Sequence, residues 1–138
     1  MRLLLDNEIR YQGQTLIAPS FHDANIVAFR LETKGITIDL VTTRKSCYSI
    51  KLCGLVHIKA DDFREANIVL GIYVVNKEYS KDSHLLKLYG LDRPSDEAWF
   101  RTLVTNLEKG ALRLFTIAPS CGCELAAVCE RIEIYEAT

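Results

Sequence analysis

The sequence lacks any long apolar run, and this absence bears on export and membranes. At the start of the chain, only three leucines, Leu3 to Leu5, precede Asp6, whereas the core of a signal peptide needs roughly 7–15 apolar residues. None of the apolar runs in the 138 residues approaches the roughly 20 residues of a membrane helix. We therefore expect a cytoplasmic protein that has no membrane partner.

An excess of charge of either sign is also missing. There are 17 Lys and Arg residues against 18 Asp and Glu residues, and the longest basic run is the dipeptide Arg44-Lys45. Because proteins that bind phosphate backbones concentrate positive charge, we expect no nucleic-acid partner. Weak charge repulsion together with 49% hydrophobic residues favours association. The predicted partner is another protein or a second copy in a homodimer.

Motifs of the common catalytic and cofactor sites are absent too. The chain has no G-x-S-x-G nucleophile turn, no H-E-x-x-H zinc motif and no glycine-rich phosphate loop. These absences favour a non-catalytic binding domain that uses no cofactor, and an enzyme stays the alternative.

Cysteine, in contrast, is well represented, with five residues. Their odd number and irregular spacing do not form a disulfide framework, and a chain of this length buries a core without cross-links. Reduced thiols in a cytosolic protein are therefore expected.

Three of these cysteines lie in the stretch APSCGCELAAVC. Structural zinc sites use C-x₂₋₄-C pairs, so Cys121 and Cys123 are one residue too close, and Cys129 lies about 20 Å further along an extended strand. A metal site assembled across strands from Cys121, Cys123 and His57 or His22 stays open, as does a strained disulfide between Cys121 and Cys123. The favoured interpretation is a turn between two strands, made by the glycine at position 122.

The adjacent residues His22 and Asp23 form a second candidate site. A carboxylate beside an imidazole can orient it for general-base catalysis. Adjacent residues of an extended chain point in opposite directions, so the two side chains need not touch. The alternative interpretation is a polar loop in which Asp23 caps a turn.

Alternating apolar residues predict antiparallel strands through most of the chain. In chain order, the predicted strands are 26–31, 36–40, 47–58, 67–75, 111–118 and 124–135. In the first strand the alternation places Val27, Phe29 and Leu31 on the inner face. In the last strand the apolar face switches near Glu130-Arg131, which predicts a bulge or a change of packing partner.

Helical periodicity occurs in one segment. Its apolar residues recur at spacings of three and four and are Trp99, Phe100, Leu103, Val104 and Leu107. This pattern predicts one long amphipathic helix over about 95–109, with Ser95 as N-cap and Lys109-Gly110 at its end. The sequence thus predicts a single α+β domain over 1–138, mainly antiparallel β. The sheet is expected to be a meander, a sandwich or an open barrel, with this helix packed on it.

Three segments, SFHDANIVAFRLE, ADDFREANIVLGIYV and APSCGCELAAVCERIEIYE, have a recognisable layout. It consists of a His-Asp step before the first core strand, an Asp-Phe…Asn-Ile-Val segment and a Ser-x-Gly turn before the last strand. Over about residues 20–135 this layout resembles small uncharacterised bacterial domains, some of immunity-protein type. The resemblance implies a binding role and no catalytic residues. The alternative hypothesis is a small-ligand or enzymatic pocket between helix and sheet that uses His22, Asp23 or His57.

Overall fold

The alternating apolar segments form eleven strands in a computed structural model that describes all 138 residues. The bounds of the strands are β1 Arg2–Leu3, β2 Arg10–Gln12, β3 Thr15–Ala18, β4 Asn25–Glu32, β5 Gly35–Val41, β6 Cys47–Cys53, β7 His57–Asp61, β8 Ile68–Val75, β9 Arg113–Cys121, β10 Glu124–Cys129 and β11 Arg131–Glu136. The helices are α1 Ser83–Leu88 and α2 Ala98–Glu108. With six and eleven residues, both helices fall short of a membrane span.

The strands form one open, antiparallel sheet. Its order is β1-β11-β6-β5-β4-β8-β9-β10-β7, and the hairpin of β2 and β3 joins it along β8. Within each of the runs β4-β5-β6 and β8-β9-β10, strands that follow one another in sequence are also neighbours in the sheet. This arrangement is the predicted meander. Inner residues of β5 and β6 share one core with those of β9 and β10, so the sheet bends around that core. The α+β class is confirmed.

The central strands β5 and β6 have the inner face that their alternation predicts. Ile38, Ile50 and Leu52 are each 0% exposed, and burial of such a side chain contributes about 1.5–3 kcal/mol. For β4 the prediction is wrong at two of its three positions, since Val27 is 51% and Leu31 is 79% exposed, whereas Phe29 packs against the core. A bulge between Ile26 and Ala28 shifts the register there, and β8 covers β4 only at its first residue.

The predicted strand 47–58 is two strands in the structure. Gly54 adopts a φ of +63° between β6 and β7, which interrupts the pairing. The predicted change of partner near Glu130 is confirmed, because β10 pairs with β7 and β9, whereas β11 pairs with β6 and β1.

The prediction of one long helix over 95–109 is wrong. Helix α2 has 11 residues and begins three residues later, because Ser95 Oγ accepts the backbone N–H of Glu97 at 3.1 Å and closes a turn ahead of the helix. The predicted end is confirmed: Lys109 is the C-cap and Gly110 has a φ of +79°.

The shorter helix α1 was not predicted from the sequence. Its N-cap, Asp82, accepts hydrogen bonds from the backbone N–H groups of His84 and Leu85 at 2.9 and 3.2 Å, which satisfies donors that a helix start leaves free. The apolar sides of α1 and α2 pack on the sheet over a second core of 10 buried residues, separate from the main core of 19. The main core runs from Leu4 to Ile134.

Candidate functional site

The candidate pair His22 and Asp23 is in contact at the surface. Its closest atoms, His22 Nε2 and Asp23 Oδ2, are 3.6 Å apart, because Asp23 has a φ of +64° and so turns its carboxylate back. His22 Nδ1 lies 2.9 Å from the carbonyl oxygen of Leu70, and since a carbonyl only accepts, Nδ1 carries the proton. Both side chains are more than half exposed. The pair joins its loop to β8.

The third candidate, His57, lies in a different part of the surface. It begins β7, and its ring packs on Tyr89 at a centroid distance of 4.6 Å; Tyr89 packs in turn on Trp99 at 5.4 Å. His22 and Asp23 contact β8 and each other, and neither forms a hydrogen bond or ion pair with His57. The structure therefore does not bring the three residues together in one pocket between helix and sheet.

The side chains of Cys121 and Cys123 lie in different environments. Cys121 is exposed, whereas Cys123 is 1% exposed in the main core, where burial raises the pKa of its thiol and disfavours the reactive thiolate. His57 pairs with Val128, five residues and about 17 Å along an extended strand from Cys123. No group of three or more His, Cys, Asp and Glu side chains is arranged to hold a metal.

The glycine between these cysteines makes the predicted turn. Gly122 has a φ of +83°, and a Cβ at this position would lie 2.6 Å from both the Ala66 carbonyl oxygen and Asn67 Oδ1. Asn67, only 2% exposed, accepts the backbone N–H of Cys123 at 3.1 Å. The stretch therefore has a structural role in which the turn is held by a buried amide.

A cleft of about 670 Å³ lies elsewhere, under the N-terminal segment. This segment starts in β1, which pairs with β11, and continues to β2, which joins β8 through β3. Residues 3–13 thus cross from β11 to β8 and form one wall. The lining residues are Leu3, Leu4, Asp6, Ile9, Tyr11, Gly13, Val74, Asn76, Arg113, Arg131, Ile132, Glu133 and Ile134.

One charged pair of this cleft is satisfied within the protein. Glu133 accepts hydrogen bonds from Tyr135 Oη at 3.0 Å, from Arg131 Nε at 3.3 Å and from Cys53 Sγ at 3.5 Å. Burial alone would raise the pKa of Glu133, but the bonds from Tyr135, Cys53 and Arg131 outweigh it and lower the pKa. Glu133 is therefore an ionised group whose hydrogen-bonding capacity is already in use.

The other arginine of the cleft is free. Arg113 begins β9 and forms no ion pair or hydrogen bond through its side chain, unlike Arg131. Its nearest titratable neighbours include Tyr11: burial raises the pKa of that phenol, and the positive charge of Arg113 opposes the shift. Asp6 also lines the cleft and has no ion pair of its own. The lining of the cleft thus includes a phenol, a free guanidinium, a free carboxylate and six aliphatic residues.

Sequence reasoning missed all of these cleft residues. The switch of face at Glu130-Arg131 marked the segment that supplies Arg131 and Glu133, and it was the one available signal. Arg113 and Tyr11 carry no signal, because they reach the cleft only through long-range pairing of the N-terminal segment with β11 and β8.

Comparison with known proteins gives no relative from which a role could be transferred: no family model, no curated protein and no solved structure matches this chain.

Proposed function

We propose that the protein is a non-catalytic binding domain that holds a small ligand in the cleft under its N-terminal segment. The cleft carries this proposal: it has a volume of about 670 Å³, and seven of its 13 lining residues are hydrophobic. Small-molecule sites have volumes of roughly 300–1,000 Å³, mostly apolar walls and a few polar groups that orient the ligand. The sequence suggests ligand binding as an alternative, with His22, Asp23 or His57 in the pocket. The proposal keeps ligand binding as the function but places the site in this cleft, which those three residues do not line.

The protonation states of the polar groups in the cleft support binding over catalysis. A general acid or base works best when its pKa lies near the working pH. The pKa of Glu133 is lowered and that of Tyr11 is raised, so near neutral pH the carboxylate is ionised and the phenol is protonated. Both shifts move these groups away from the range in which they would exchange a proton with a ligand.

The experiment that tests this function is a ligand-observed NMR screen of small amphipathic compounds. Leu3 lines the cleft and is 44% exposed, so Leu3→Trp adds bulk there at little risk to the core. Ile17→Trp is the matched control, since Ile17 is 39% exposed and lies outside the cleft. We expect the screen to find compounds that bind the wild type and the Ile17→Trp control but do not bind the Leu3→Trp variant. Binding that is unchanged in Leu3→Trp, or a screen without hits, would contradict the proposal.

Self-association is a second candidate, and the edge of β4 favours it. This strand pairs with β5 along its length but with β8 only at Asn25, which leaves the other edge unpaired over residues 27–32. In an antiparallel pairing of two copies centred on Leu31, Arg30 of each copy faces Glu32 of the other, and opposite charges in such positions are favourable. The second copy would also cover Leu31, which is 79% exposed.

Sedimentation velocity tests this second candidate. We expect a concentration-dependent dimer in the wild type and a monomer in Leu31→Lys, because like charges placed directly opposite each other are unfavourable. Val56→Lys is the control, since Val56 is 52% exposed and lies outside the strands. A monomeric wild type at its highest soluble concentration would contradict dimer formation. The resemblance to immunity-type domains stays a prediction.

A further inference from the structure

The free arginine distinguishes one end of the cleft from the rest. Arg131 is paired with Glu133, whereas Arg113, which pairs across the sheet with Cys129, has no carboxylate within ion-pair distance. Its charge acts on two phenols and one thiol: burial raises the pKa of Tyr11, Tyr79 and Cys129, and Arg113 opposes each shift. The groups around Arg113 are thus mainly uncharged, and its donors are available to a ligand.

The larger part of the cleft lining is hydrophobic. The hydrophobic side chains that contribute to the cleft, besides Tyr11, are Leu3, Leu4, Ile9, Val74, Ile132 and Ile134. A ligand that fills this volume must cover these residues with an apolar surface, since an unpaired polar group placed against them costs free energy.

The balance of charge in the cleft favours a ligand with a single negative charge. Two arginines and two carboxylates, Asp6 and Glu133, line the cleft, so its formal charge is zero. A guanidinium binds a carboxylate, sulfonate or phosphate oxygen strongly through charge-assisted bonds. A polyanion such as a nucleoside triphosphate would in addition meet the unpaired Asp6 carboxylate, and Arg131, already paired with Glu133, is not free to offset the repulsion.

We infer that the cleft binds a small organic monoanion, with the acidic group on Arg113 and a compact apolar body on the surrounding aliphatic side chains. This inference rests on the proposed function and names the chemistry of its ligand. A carboxylate, a sulfonate and a singly charged phosphate share this chemistry.

The test uses two fluorescent probes that share one ring system. Anilinonaphthalene sulfonate carries an anionic group, and phenylnaphthylamine lacks it. Binding of both probes is measured by fluorescence titration to the wild type, to Arg113→Gln and to Arg113→Lys. The control is Arg10→Gln, because Arg10 is an exposed arginine of β2 that does not line the cleft.

We expect Arg113→Gln to lower the affinity for the sulfonate probe by about tenfold or more, since the substitution removes a charge-assisted contact. Phenylnaphthylamine should bind the wild type and Arg113→Gln with equal affinity. Arg10→Gln should change the affinity for neither probe. Arg113→Lys should recover part of the affinity for the sulfonate, because it restores the charge without the planar fork. Leu3→Trp should weaken both probes, which locates them in the cleft, and circular dichroism verifies that each variant is folded.

The outcomes distinguish a failure of the monoanion inference from a failure of the proposed ligand-binding function. If both probes bind the wild type and Leu3→Trp weakens both, but Arg113→Gln weakens neither, the monoanion inference is wrong and the cleft remains a binding site for neutral compounds. If Arg10→Gln weakens the sulfonate as much as Arg113→Gln does, its binding reflects general surface charge and the inference is wrong. If neither probe binds the wild type, the inference fails together with the proposed function.

Discussion

The side-chain oxygen of Asn67 accepts a hydrogen bond from the backbone N–H of Cys123, 3.1 Å away in space and 56 residues along the chain. The same oxygen accepts the N–H of Arg64 at 2.9 Å, and Nδ2 donates to the Arg64 carbonyl at 2.7 Å. One buried amide therefore joins the loop after β7 to the turn between β9 and β10.

Replacement of this amide should destabilise the fold. Asn67→Ala leaves up to three backbone groups without their partner, and each unsatisfied buried group costs about 1–3 kcal/mol. Since water can reach the groups of Arg64, we expect the free energy of unfolding in urea to fall by about 2–4 kcal/mol. Asn7→Ala is the matched control, because Asn7 is exposed; it should change the free energy by less than about 0.5 kcal/mol. Equal effects of the two substitutions would contradict the role of Asn67.

The turn at Gly122 should tolerate a side chain less well than other turns with similar backbone angles. Both Gly122 and Gly110 have positive φ, but a Cβ at Gly110 meets no atom within 4 Å, whereas at Gly122 it lies 2.6 Å from two oxygen atoms. Gly110→Ala should cost about 1 kcal/mol, the price of the left-handed conformation alone. Gly122→Ala should cost more, because the turn must also move away from Ala66 and Asn67. Thermal unfolding of both variants measures the difference, and equal losses would show that the clash is relieved without cost.

Asp39 should make part of the stability dependent on pH. Burial alone would raise its pKa, but Ser49 Oγ, at 2.6 Å, and the Arg30 guanidinium donate hydrogen bonds that outweigh burial and lower the pKa. A carboxyl whose pKa is lowered in the folded state stabilises the protein above its unfolded pKa of about 4, and this contribution is lost as the pH falls through the folded pKa.

The measurement is the free energy of unfolding as the pH is lowered from neutral into the acidic range. Asp39→Asn should be less stable than the wild type at neutral pH and should lose less stability on acidification. Asp96→Asn, at an exposed aspartate with no ion pair, should follow the wild-type curve. Parallel curves for Asp39→Asn and the wild type would show that protonation of Asp39 does not change the stability of the fold.

The five cysteines should fall into two classes of reactivity. Cys47 and Cys121 are exposed, while Cys53, Cys123 and Cys129 are buried. Burial raises the pKa of all three buried thiols, and that of Cys129 reaches about 12. Since the thiolate is the nucleophile, iodoacetamide at mildly alkaline pH should label two residues in the native protein and five in denaturant. Mass spectrometry identifies the sites, and rapid native labelling of Cys123 would contradict its place in the core.

Features that depend on local pattern could be predicted from the sequence. The inner face of β6 follows from alternation, which places Ile50 and Leu52 in the core. The end of α2 at Lys109 and the turn at Gly122 follow from residue types that favour those backbone angles. In each case the information lies within a few residues of the feature.

Features that depend on distant pairing could not be predicted. Val27 and Leu31 have an apolar alternation like that of a core strand, but a bulge shifts the register with β5 at Val27, and β8 pairs with β4 only at Asn25. The late start of helix α2 has a local cause instead, since Ser95 closes a turn with Glu97, and serine suits such a turn as well as a helix cap. The cleft is the clearest case, since Tyr11 and Arg113 are about 100 positions apart and meet only where the N-terminal segment crosses the sheet.

That crossing also sets the order in which the cleft can be completed. Its walls come from residues 3–13 and from Arg131 to Ile134, and β1 reaches its place by pairing Arg2 with Glu136 and Leu3 with Tyr135. During synthesis residues 3–13 leave the ribosome well before β11, so β1 has no partner strand until β11 has been added. A nascent chain that still lacks β11 therefore has no cleft, and occupancy of the cleft would report that β1 and β11 have both been made and have paired.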